Sequence, residues 1–512
     1  MNRRSFLGSL LAGAAGARAQ GRRPPNIVFM FSDDHAYQAI SAYGAGLNRT
    51  PNIDRIANEG MIFRDCVVTN SICAPCRATV LTGKYSHMNG VIDNTRVFDG
   101  SQPTFPKLLR GSGYQTALFG KWHLKSDPTG FDSWEVLPGQ GNYYNPDFLT
   151  TQGRHRRDGY VTDIITDLSL DWLAKARQAG KPFLLMCQHK APHRNWMPAP
   201  EHLTRFDGVT FPEPDNLFDD YATRATPAHN QQMEIDRHML LSGDLKVYPF
   251  PGPDAKSAGA AGFLAEYNRM DEMQKRMWDA VYQKRVKEFA SSRLSGRDLV
   301  RWKYQCYLRD YLGCIQSVDD SVGRILRYLD AADLARNTIV VYGSDQGFYL
   351  GEHGWFDKRW IYEESVKTPL LIRWPGVTPP GSSCDLMVST VDYAETFLDA
   401  AGVAAPPDMQ GGSFVPILHG ERPSGWRRSF YYHYYEDTVH HVARHYGIRT
   451  GRYTLAHYYD TGEWELFDRK TDPRQMRNVY GKPEYAQAER ELKAELARLR
   501  RELKVPEKDP DR

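Results

Sequence analysis

Carboxylate and amide side chains follow two apolar segments of the sequence and could bind a cation. Asp33 and Asp34 come directly after the first apolar run of the chain, and Asp345 and Gln346 come after the run 338–342. If both runs are parallel strands of one sheet, their carboxyl ends meet at one edge, where open α/β sheets bind ligands. Adjacent buried carboxylates need a positive charge between them, and oxygen ligands suit Ca²⁺ or Mg²⁺ better than zinc. Either pair alone could be turn chemistry, but together they predict a metal site.

A second candidate group lies in the segment Cys73-Ala74-Pro75-Cys76-Arg77. The proline and the apolar periodicity that follows predict the first turns of a helix, with Cys73 near its N-cap. Cys73 and Arg77 are four residues apart and can share one face, where a helix N-terminus and an arginine form an anion site. The same setting lowers the pKa of a thiol, so a plain reactive cysteine is one alternative. A redox or zinc site is another, although no second metal pair and no thioredoxin-like context accompanies it.

Basic residues follow other apolar runs of the chain. Lys121 and His123 come after the run 114–119, and if the extended conformation continues they point to the same side. The lysine would supply a charge and the histidine a group that exchanges protons near neutral pH. His193 follows a further apolar run in the same way, and Lys358 lies downstream of the second acidic pair. A single histidine is more often structural, but basic residues that repeatedly follow apolar runs are less easily explained in that way.

These residues require a framework of strands that alternate with helices. Apolar runs typical of buried strands cover 26–31, 114–119, 183–188, 338–342 and 370–374, and helical patterns cover 52–59, 162–178 and 307–331. The alternation predicts an α/β fold with a large, mostly parallel central sheet flanked by helices. We assign residues 24–420 to this catalytic domain, with an insertion at about 200–295.

The C-terminal part has a different pattern. Short aromatic strands are predicted over 429–434, 446–449, 453–457 and 465–467, followed by an amphipathic helix over 485–504. Residues 421–512 are therefore predicted to form a smaller subdomain of an antiparallel sheet plus a helix.

The N-terminus has the order of an export signal. Arg3 and Arg4 precede an apolar run that ends near Ala17, and Ala17-Arg18-Ala19 is a small-residue cleavage site. We predict a twin-arginine signal over residues 1–19, too short to span a bilayer. The mature protein is therefore expected to be periplasmic or secreted, with no membrane span. The net charge of +3 argues against a dedicated nucleic-acid binder, and the odd count of 7 cysteines means that at least one is unpaired or modified.

Taken together and in this order, the motifs resemble the type I sulfatases of the alkaline-phosphatase-like superfamily, from about Pro25 to the C-terminal region. They are Cys-x-Pro-x-Arg followed by Leu-Thr-Gly-Lys, Gly-Lys-Trp-His, Ala-Pro-His, and Gly-Glu-His-Gly with a downstream Lys. The resemblance implies that a maturation enzyme oxidises Cys73 to Cα-formylglycine. It implies a Ca²⁺ site, with Mg²⁺ possible, formed by Asp33, Asp34, Asp345, Gln346 and the modified Cys73. It also implies that the sulfate group is surrounded by Arg77, Lys121, His123, His193 and Lys358.

The resemblance also implies a mechanism. One hydroxyl of the hydrated aldehyde at position 73 attacks sulfur, and the alcohol leaves with a proton from His193 or Lys358. His123 is the candidate for deprotonating the second hydroxyl, after which the aldehyde re-forms and sulfate is expelled. Because the twin-arginine route carries folded proteins, Cys73 is expected to be oxidised in the cytoplasm before folding buries it.

Two positions depart from the pattern of the family. Many members have Ser at the position of Cys76, but the signature residues Cys73, Pro75 and Arg77 are intact, so we expect modification to proceed. Relatives often have Asn or His at the position of Gln346. Glutamine also offers an amide oxygen, so we expect the metal site to survive with an altered reach.

The predicted substrate is a sulfated carbohydrate. The chain resembles bacterial sulfatases that act on 6-O-sulfated N-acetylglucosamine in host glycans or glycosaminoglycans, and the polar, aromatic loop 138–147 suits a sugar face. An ordinary surface loop is an equal alternative. The candidate sugar-binding residues are Asn142, Tyr143, His353, Arg359, Arg444 and His445.

Two other functions remain open at this stage. One is a phosphonate or phosphodiester hydrolase of the same superfamily, because sequence does not exclude phosphoryl transfer. The other is a non-enzymatic protein that binds sulfated glycans on a retired sulfatase scaffold. The intact Cys73, Arg77 and carboxylate cluster argue against the second.

Overall fold

The computed structural model of the protein describes residues 23–249, 256–436 and 439–507. The predicted export signal over residues 1–19 therefore lies outside the described residues. The strands are β1 Asn26–Ser32, β2 Met61–Phe63, β3 Cys66–Val67, β4 Gln115–Lys121, β5 Ser133–Leu137, β6 Asp147–Thr150, β7 Gly153–Arg156, β8 Phe183–Gln188, β9 Thr338–Ser344, β10 Tyr349–Leu350, β11 Phe356–Asp357, β12 Leu370–Arg373, β13 Ser382–Cys384, β14 Val388–Ser389, β15 Ser429–Tyr434, β16 His445–Thr450, β17 Tyr453–Tyr458 and β18 Glu463–Asp468. The α-helices are α1 Pro51–Asn58, α2 Cys73–Thr82, α3 Ser86–Asn89, α4 Phe105–Gly111, α5 Val161–Gln178, α6 Thr226–Asn230, α7 Ala258–Tyr267, α8 Glu272–Ser292, α9 Gly296–Ala331, α10 Glu363–Val366, α11 Tyr393–Ala400, α12 Val415–Leu418 and α13 Ala486–Glu502.

The largest sheet places the strands that precede the candidate residues side by side. Its strands lie in the order β13-β2-β12-β9-β1-β8-β4-β5-β6-β7. Strands β9, β1, β8, β4 and β5 run parallel to one another. Ser32, the last residue of β1, pairs with Ser344, the last residue of β9. The predicted fold class, a mostly parallel central sheet with a smaller C-terminal antiparallel sheet, is confirmed, and both acidic pairs leave the large sheet at one edge.

Strand β12 differs in direction from the parallel core. The predicted strand 370–374 forms, but it runs antiparallel to β9 and to β2 on its other side. Parallel neighbours need a crossover connection of about a dozen residues or more, usually a helix. The segment between β9 and β12 has as its α-helix only the four-residue α10. An apolar run buried on both faces has the same composition in either direction, so the sequence held no signal for this reversal.

Helices cover both faces of the large sheet. Side chains of β1 alternate between the faces, so Val28 and Met30 belong to one apolar cluster while Ile27 and Phe29 belong to another. Residues of α1, α5 and α9 join the first cluster, and residues of α2, α4 and α11 join the second. Burial on both sides explains the nearly continuous apolar sequence of β1.

The region predicted as an insertion, 200–295, packs on the first face of the sheet. Phe263 of α7 and Trp278 of α8 belong to the same apolar cluster as the buried residues of α9. Helix α9 begins at Gly296, well before the predicted start at residue 307. Its first turn carries exposed charged residues such as Arg297, so apolar periodicity could not locate its beginning.

The C-terminal region forms an antiparallel sheet in the order β15-β16-β17-β18. Helix α13 packs on it through Leu492 and Leu496, which share an apolar cluster with Ile448, Leu455 and Leu466. The boundary at residues 420 and 421 stays a prediction. Among the described residues, no helix has both the length and the apolar content needed to cross a membrane.

Candidate active site

Three carboxylates meet beyond the ends of β1 and β9. One oxygen from each of Asp33, Asp34 and Asp345 lies within 4.8 Å of the others, and all three residues are buried. The backbone N–H of Asp34 donates to Oδ1 of Asp345 at 3.1 Å. Asp34 has a φ of 64°, in the left-handed region that non-glycine residues seldom adopt. The backbone therefore turns sharply between the two adjacent carboxylates.

Gln346 lies beside this group of carboxylates. Its Nε2 donates to Oδ1 of Asp34 at 2.5 Å, whereas its buried Oε1 has no hydrogen-bond partner among the described residues. Burial raises the pKa of Asp34 to about 6, and the charge of Asp345 adds to this shift while Lys358 opposes it. Buried carboxylates at this spacing and an unpaired amide oxygen suit a hard divalent cation. The residues therefore fit the predicted metal site, while the identity of the ion stays a prediction.

Buried cations also contact the carboxylates. Burial lowers the pKa of Lys121 well below its ordinary value, although Asp345 opposes this. Burial also lowers the pKa of Lys358, but the charges of Asp34 and Cys73 raise it by more. The pKa of Lys358 is therefore raised above its ordinary value. The contacts are Lys121 with Asp33, Lys358 with Asp34 and, at 2.9 Å, Arg77 with Asp345.

Cys73 is the first residue of α2 and its side chain reaches the carboxylates. Its Sγ lies 3.2 Å from Oδ1 of Asp33, 3.5 Å from Nζ of Lys358 and 3.6 Å from Nε2 of Gln346. Burial raises the pKa of the Cys73 thiol to about 12, despite the opposing charge of Lys358. The expectation that the helix N-terminus lowers this pKa is therefore wrong, because desolvation and the nearby carboxylates dominate. A plain thiolate nucleophile is not favoured.

Arg77 lies on the same side of α2 as Cys73. Besides Asp345, its guanidinium donates to the carbonyl oxygen of Lys121 and to Oε1 of Gln188, each at 3.2 Å. Cys76 is fully buried in the second apolar cluster, and all seven cysteines are unpaired. The arrangement contains no disulfide between Cys73 and Cys76.

The two predicted histidines approach the cluster differently. Strand β4 ends at Lys121 and His123 has a φ of 58°, so the extended conformation on which their placement on one side depended does not continue to His123. Burial lowers the pKa of His123, and the charges of Lys121 and Arg77 lower it further. His193 lies 3.8 Å from Asp34, measured from Nε2 to Oδ2. Its Nδ1 lies 2.7 Å from the carbonyl oxygen of Arg194, which can only accept, so Nδ1 carries the proton and Nε2 faces the cluster.

Three of the predicted sugar ligands make their contacts inside the protein. Tyr143 has no exposed surface and its hydroxyl donates to the carbonyl oxygen of His193. His353 is also fully buried, with Nδ1 2.9 Å from Oδ2 of Asp219. His445 is buried and its Nε2 accepts from the backbone N–H of Ile361 at 3.2 Å. Their assignment to the sugar stays a prediction, and the contacts described here are those of wall and core residues.

The other three predicted sugar ligands have polar partners as well. Asn142 is half-buried and forms a hydrogen bond with Glu266. Arg444 pairs with Asp460 at 2.7 Å. Arg359 is buried and pairs with Asp357. The two residues stand on either side of Lys358 in the sequence.

Sequence reasoning named Arg359 as a sugar ligand but missed Asp357 and Lys190 at this site. Asp357 and Arg359 have φ angles of 85° and 96°, so two strained residues flank Lys358. Lys190, three residues before His193, is buried. Burial lowers the pKa of the Lys190 ammonium, and the charges of Asp34 and Cys73 oppose this shift. The run of charges at 357–359, and the lysine directly before Ala-Pro-His, were signals that could have identified these residues.

Family models match this chain over two overlapping ranges. The model described as Sulfatase matches residues 25–403, and the model described as N-sulphoglucosamine sulphohydrolase, C-terminal, matches residues 351–502. An N-acetylglucosamine-6-O-sulfatase of Bacteroides thetaiotaomicron is 48% identical over 98% of this chain and 90% of its own length. An N-acetylglucosamine-6-sulfatase of Homo sapiens is 29% identical over 80% of this chain and 67% of its own.

A solved structure agrees with these sequence relatives. It is described as a complex with its substrate D-glucosamine-2-N,6-O-disulfate, and it is 48% identical to this chain. The TM-score is 0.92, and the match covers 96% of this chain and 100% of the solved one.

Proposed function

This chain belongs to the sulfatase family and is a sulfuric ester hydrolase, and from that premise we propose that it removes the 6-O-sulfate of N-acetylglucosamine in host glycans or glycosaminoglycans. The observation that carries the proposal is the contact of Cys73, inside an intact Cys-x-Pro-x-Arg signature, with Asp33, Lys358 and Gln346. The substrate is proposed from the relative that is 48% identical over 98% of this chain. The match to a complex of D-glucosamine-2-N,6-O-disulfate extends the proposal to the N-sulfated sugar.

Cys73 is proposed to be converted to Cα-formylglycine. Its raised thiol pKa argues against direct attack by the cysteine. Once oxidised and hydrated, residue 73 would supply the hydroxyl nucleophile for covalent catalysis. Residue 73 is completely buried by folding, with 1% of its surface exposed. We therefore propose that the maturation enzyme acts on the unfolded chain, and that export by the segment 1–19 to the periplasm or beyond follows.

Asp33, Asp34, Asp345 and Gln346 would hold a divalent cation, for which we propose Ca²⁺. A bound cation would supply positive charge that activates the hydroxyl and stabilises the sulfate oxygens. The oxygen-only ligand set and the unpaired Oε1 of Gln346 support this choice.

The side chains around the cluster would bind sulfate and move protons. Arg77, Lys121 and Lys358 place fixed positive charges where negative charge grows on the sulfate oxygens, which is usually the largest catalytic contribution. Nε2 of His193 faces this region, so His193 or Lys358 would give the leaving alcohol its proton. His123, whose buried Nδ1 has no hydrogen-bond partner among the described residues, is the candidate for the second hydroxyl of residue 73.

Arg359 is proposed as a sugar ligand together with its neighbour Asp357. Both flank Lys358, and their left-handed conformations are strained, which is typical of residues that a function holds in place. A paired arginine and carboxylate present donors and acceptors together, as neighbouring sugar hydroxyls require.

The test is hydrolysis of matched substrates by the mature enzyme. We expect turnover of an aryl sulfate far above that of the corresponding aryl phosphate, and release of sulfate from N-acetylglucosamine 6-sulfate and its N-sulfated counterpart. The 3-O- and 4-O-sulfated isomers serve as controls and should remain intact. A preference for phosphate would refute the sulfatase reaction, and release of another isomer's sulfate would refute only the 6-O assignment.

A further inference from the structure

Lys190 is a buried lysine for which the described residues provide no carboxylate at ion-pair distance. Only 2% of its surface is exposed. Each of the other three cations at the site, Arg77, Lys121 and Lys358, contacts one carboxylate of the cluster. Within the described parts of the chain, no acidic oxygen lies within the 4.0 Å ion-pair distance of the Lys190 ammonium. Its close contact is instead the ring of Tyr143, whose centroid lies 4.7 Å from Nζ.

The position of Lys190 is fixed relative to His193. The backbone N–H of His193 donates to the carbonyl oxygen of Lys190 at 3.0 Å, which closes a turn between them. Tyr143 lies under the ammonium and donates its hydroxyl to the carbonyl oxygen of His193. Lys190, Tyr143 and His193 therefore form one wall of the candidate active site. Nε2 of His193 on that wall faces Asp34.

The charge of Lys190 acts on the candidate active site. It lowers the pKa values of Lys121, His123 and His193 alongside burial. Glu266 of α7 is the carboxylate that acts on it most strongly, and that carboxylate already accepts from the backbone N–H of Tyr143 at 3.1 Å. A buried ammonium without a close counter-ion is costly, and such a cost is maintained where a ligand later provides negative charge.

We infer that Lys190 is a further cation of the desulfation reaction, which stabilises negative charge on the leaving oxygen from the His193 side. The inference rests on the proposed function. As the bond between sulfur and the sugar oxygen breaks, its electron pair stays on that oxygen until the proton donor protonates it. A positive charge in a buried, low-dielectric wall beside that oxygen lowers the barrier. A sugar alkoxide is a strongly basic leaving group and needs this help more than a phenolate does.

The experiment compares Lys190→Met with the wild-type enzyme over leaving groups of different basicity. The substrates are N-acetylglucosamine 6-sulfate and a series of aryl sulfates from 4-nitrophenyl to phenyl. Removing one electrostatic group typically costs about 10²–10³ in rate. We therefore expect kcat for the sugar sulfate to fall about 10²-fold and kcat for 4-nitrophenyl sulfate to change less than about threefold. Lys190→Arg, which keeps the charge, should recover most of the loss.

Controls separate this role from a structural one. Lys181→Met removes an exposed lysine from the same segment of chain and should leave every rate unchanged. Should Lys190→Met fail to fold, Lys190→Gln provides the neutral variant. An equal loss for every leaving group would overturn the inference. If the wild-type enzyme cleaves aryl sulfates but not the sugar sulfate, the proposed substrate fails, while the aryl series still tests Lys190.

Discussion

Cys73 and Cys76 are three residues apart on α2 but have different surroundings. Cys73 contacts charged and polar groups of the cluster, with Sγ 3.2 Å from Oδ1 of Asp33. Cys76 has no exposed surface and belongs to an apolar cluster. Burial raises the pKa of both thiols. These surroundings support the proposed reaction at Cys73 and a packing role for Cys76.

We expect Cys73→Ala to abolish sulfatase activity and Cys76→Ser to preserve it. In Cys76→Ser, mass spectrometry of the peptide containing residue 73 should still show the aldehyde. The buried thiol of Cys76 acts as a small apolar side chain, so replacing it should cost about 1 kcal/mol of unfolding free energy. Loss of the aldehyde in Cys76→Ser would contradict the assignment of Cys76 to packing.

The sequence predicted the acidic residues of the site better than their conformations. Asp34 and Asp345 follow strands whose order and direction obey general rules, so their meeting was foreseeable. The left-handed backbone at Asp34, His123 and Arg359 was not, because the residue types give no sign of it. Such conformations persist only where surrounding tertiary contacts hold them.

At the scale of elements, helix α11 carries a buried acid against the end of α2. Oε1 of Glu395 accepts from the backbone N–H of Gly411 at 2.7 Å, while its buried Oε2 has no hydrogen-bond partner among the described residues. Gly83 ends α2 with a φ of 63°, and a Cβ there would lie 2.8 Å from Oε2 of Glu395. The two helices therefore approach closely around this carboxyl group.

Glu395 is expected to make the fold less stable as pH rises. Burial raises its pKa from the usual 4.5 to about 8, and Asp392 adds to the shift. The folded state therefore holds this proton more tightly than the unfolded state, and stability is lost between about pH 4.5 and pH 8. Glu395→Gln should remove that loss and gain on the order of a few kcal/mol at pH 8 relative to pH 5.

Urea unfolding of both proteins from pH 5 to pH 8 tests this expectation. Glu421→Gln, which alters an exposed glutamate, is the matched control and should follow the wild-type curve. If Glu395→Gln is no more stable than the wild type at pH 8, the carboxyl group is not protonated in the folded state.

The elements themselves were predictable to different degrees. Strand β8 forms over the predicted residues, Phe183–Gln188, because a buried apolar run bounded by polar residues has few alternatives. Helix α9 was predicted too short because its exposed first turns carry charge rather than an apolar stripe. The direction of β12 was missed because it depends on a connection, not on the strand.

At the scale of the whole molecule, the C-terminal sheet is tied to the segments that carry the site. On β15, the hydroxyl of Tyr432 accepts from the backbone N–H of Ser71 at 3.2 Å and donates to the carbonyl oxygen of Arg359. One residue of the small sheet thus contacts the segment before α2 and the segment after Lys358. The sequence predicted the small sheet, but contacts between residues so far apart leave no local pattern.

Arg449 on β16 provides the ionic part of this connection. Its guanidinium lies 2.5 Å from Oε1 of Glu363 and 2.8 Å from Oδ1 of Asp65, and only 4% of its side chain is exposed. Arg449 counteracts the effect of burial on Glu363 and holds the pKa of that carboxyl at about 2. Glu363 therefore stays charged, and Arg449 is an ion-pair partner of both acids.

We expect Arg449→Met to destabilise the protein by about 3–5 kcal/mol, because it removes the buried partner of Asp65 and leaves Glu363 to pair with Arg469. Urea unfolding at neutral pH measures this loss. The matched control is Arg498→Met on α13, because Arg498 pairs with Glu495 on the same helix and the two side chains are 45% and 31% exposed. An exposed pair contributes about 0–1 kcal/mol, so similar losses in the two variants would show that the connection across the molecule is no stronger than a surface ion pair. A larger loss in Arg449→Met, with sulfate release falling together with the folded fraction, would show that the small sheet stabilises the site as part of one cooperative fold.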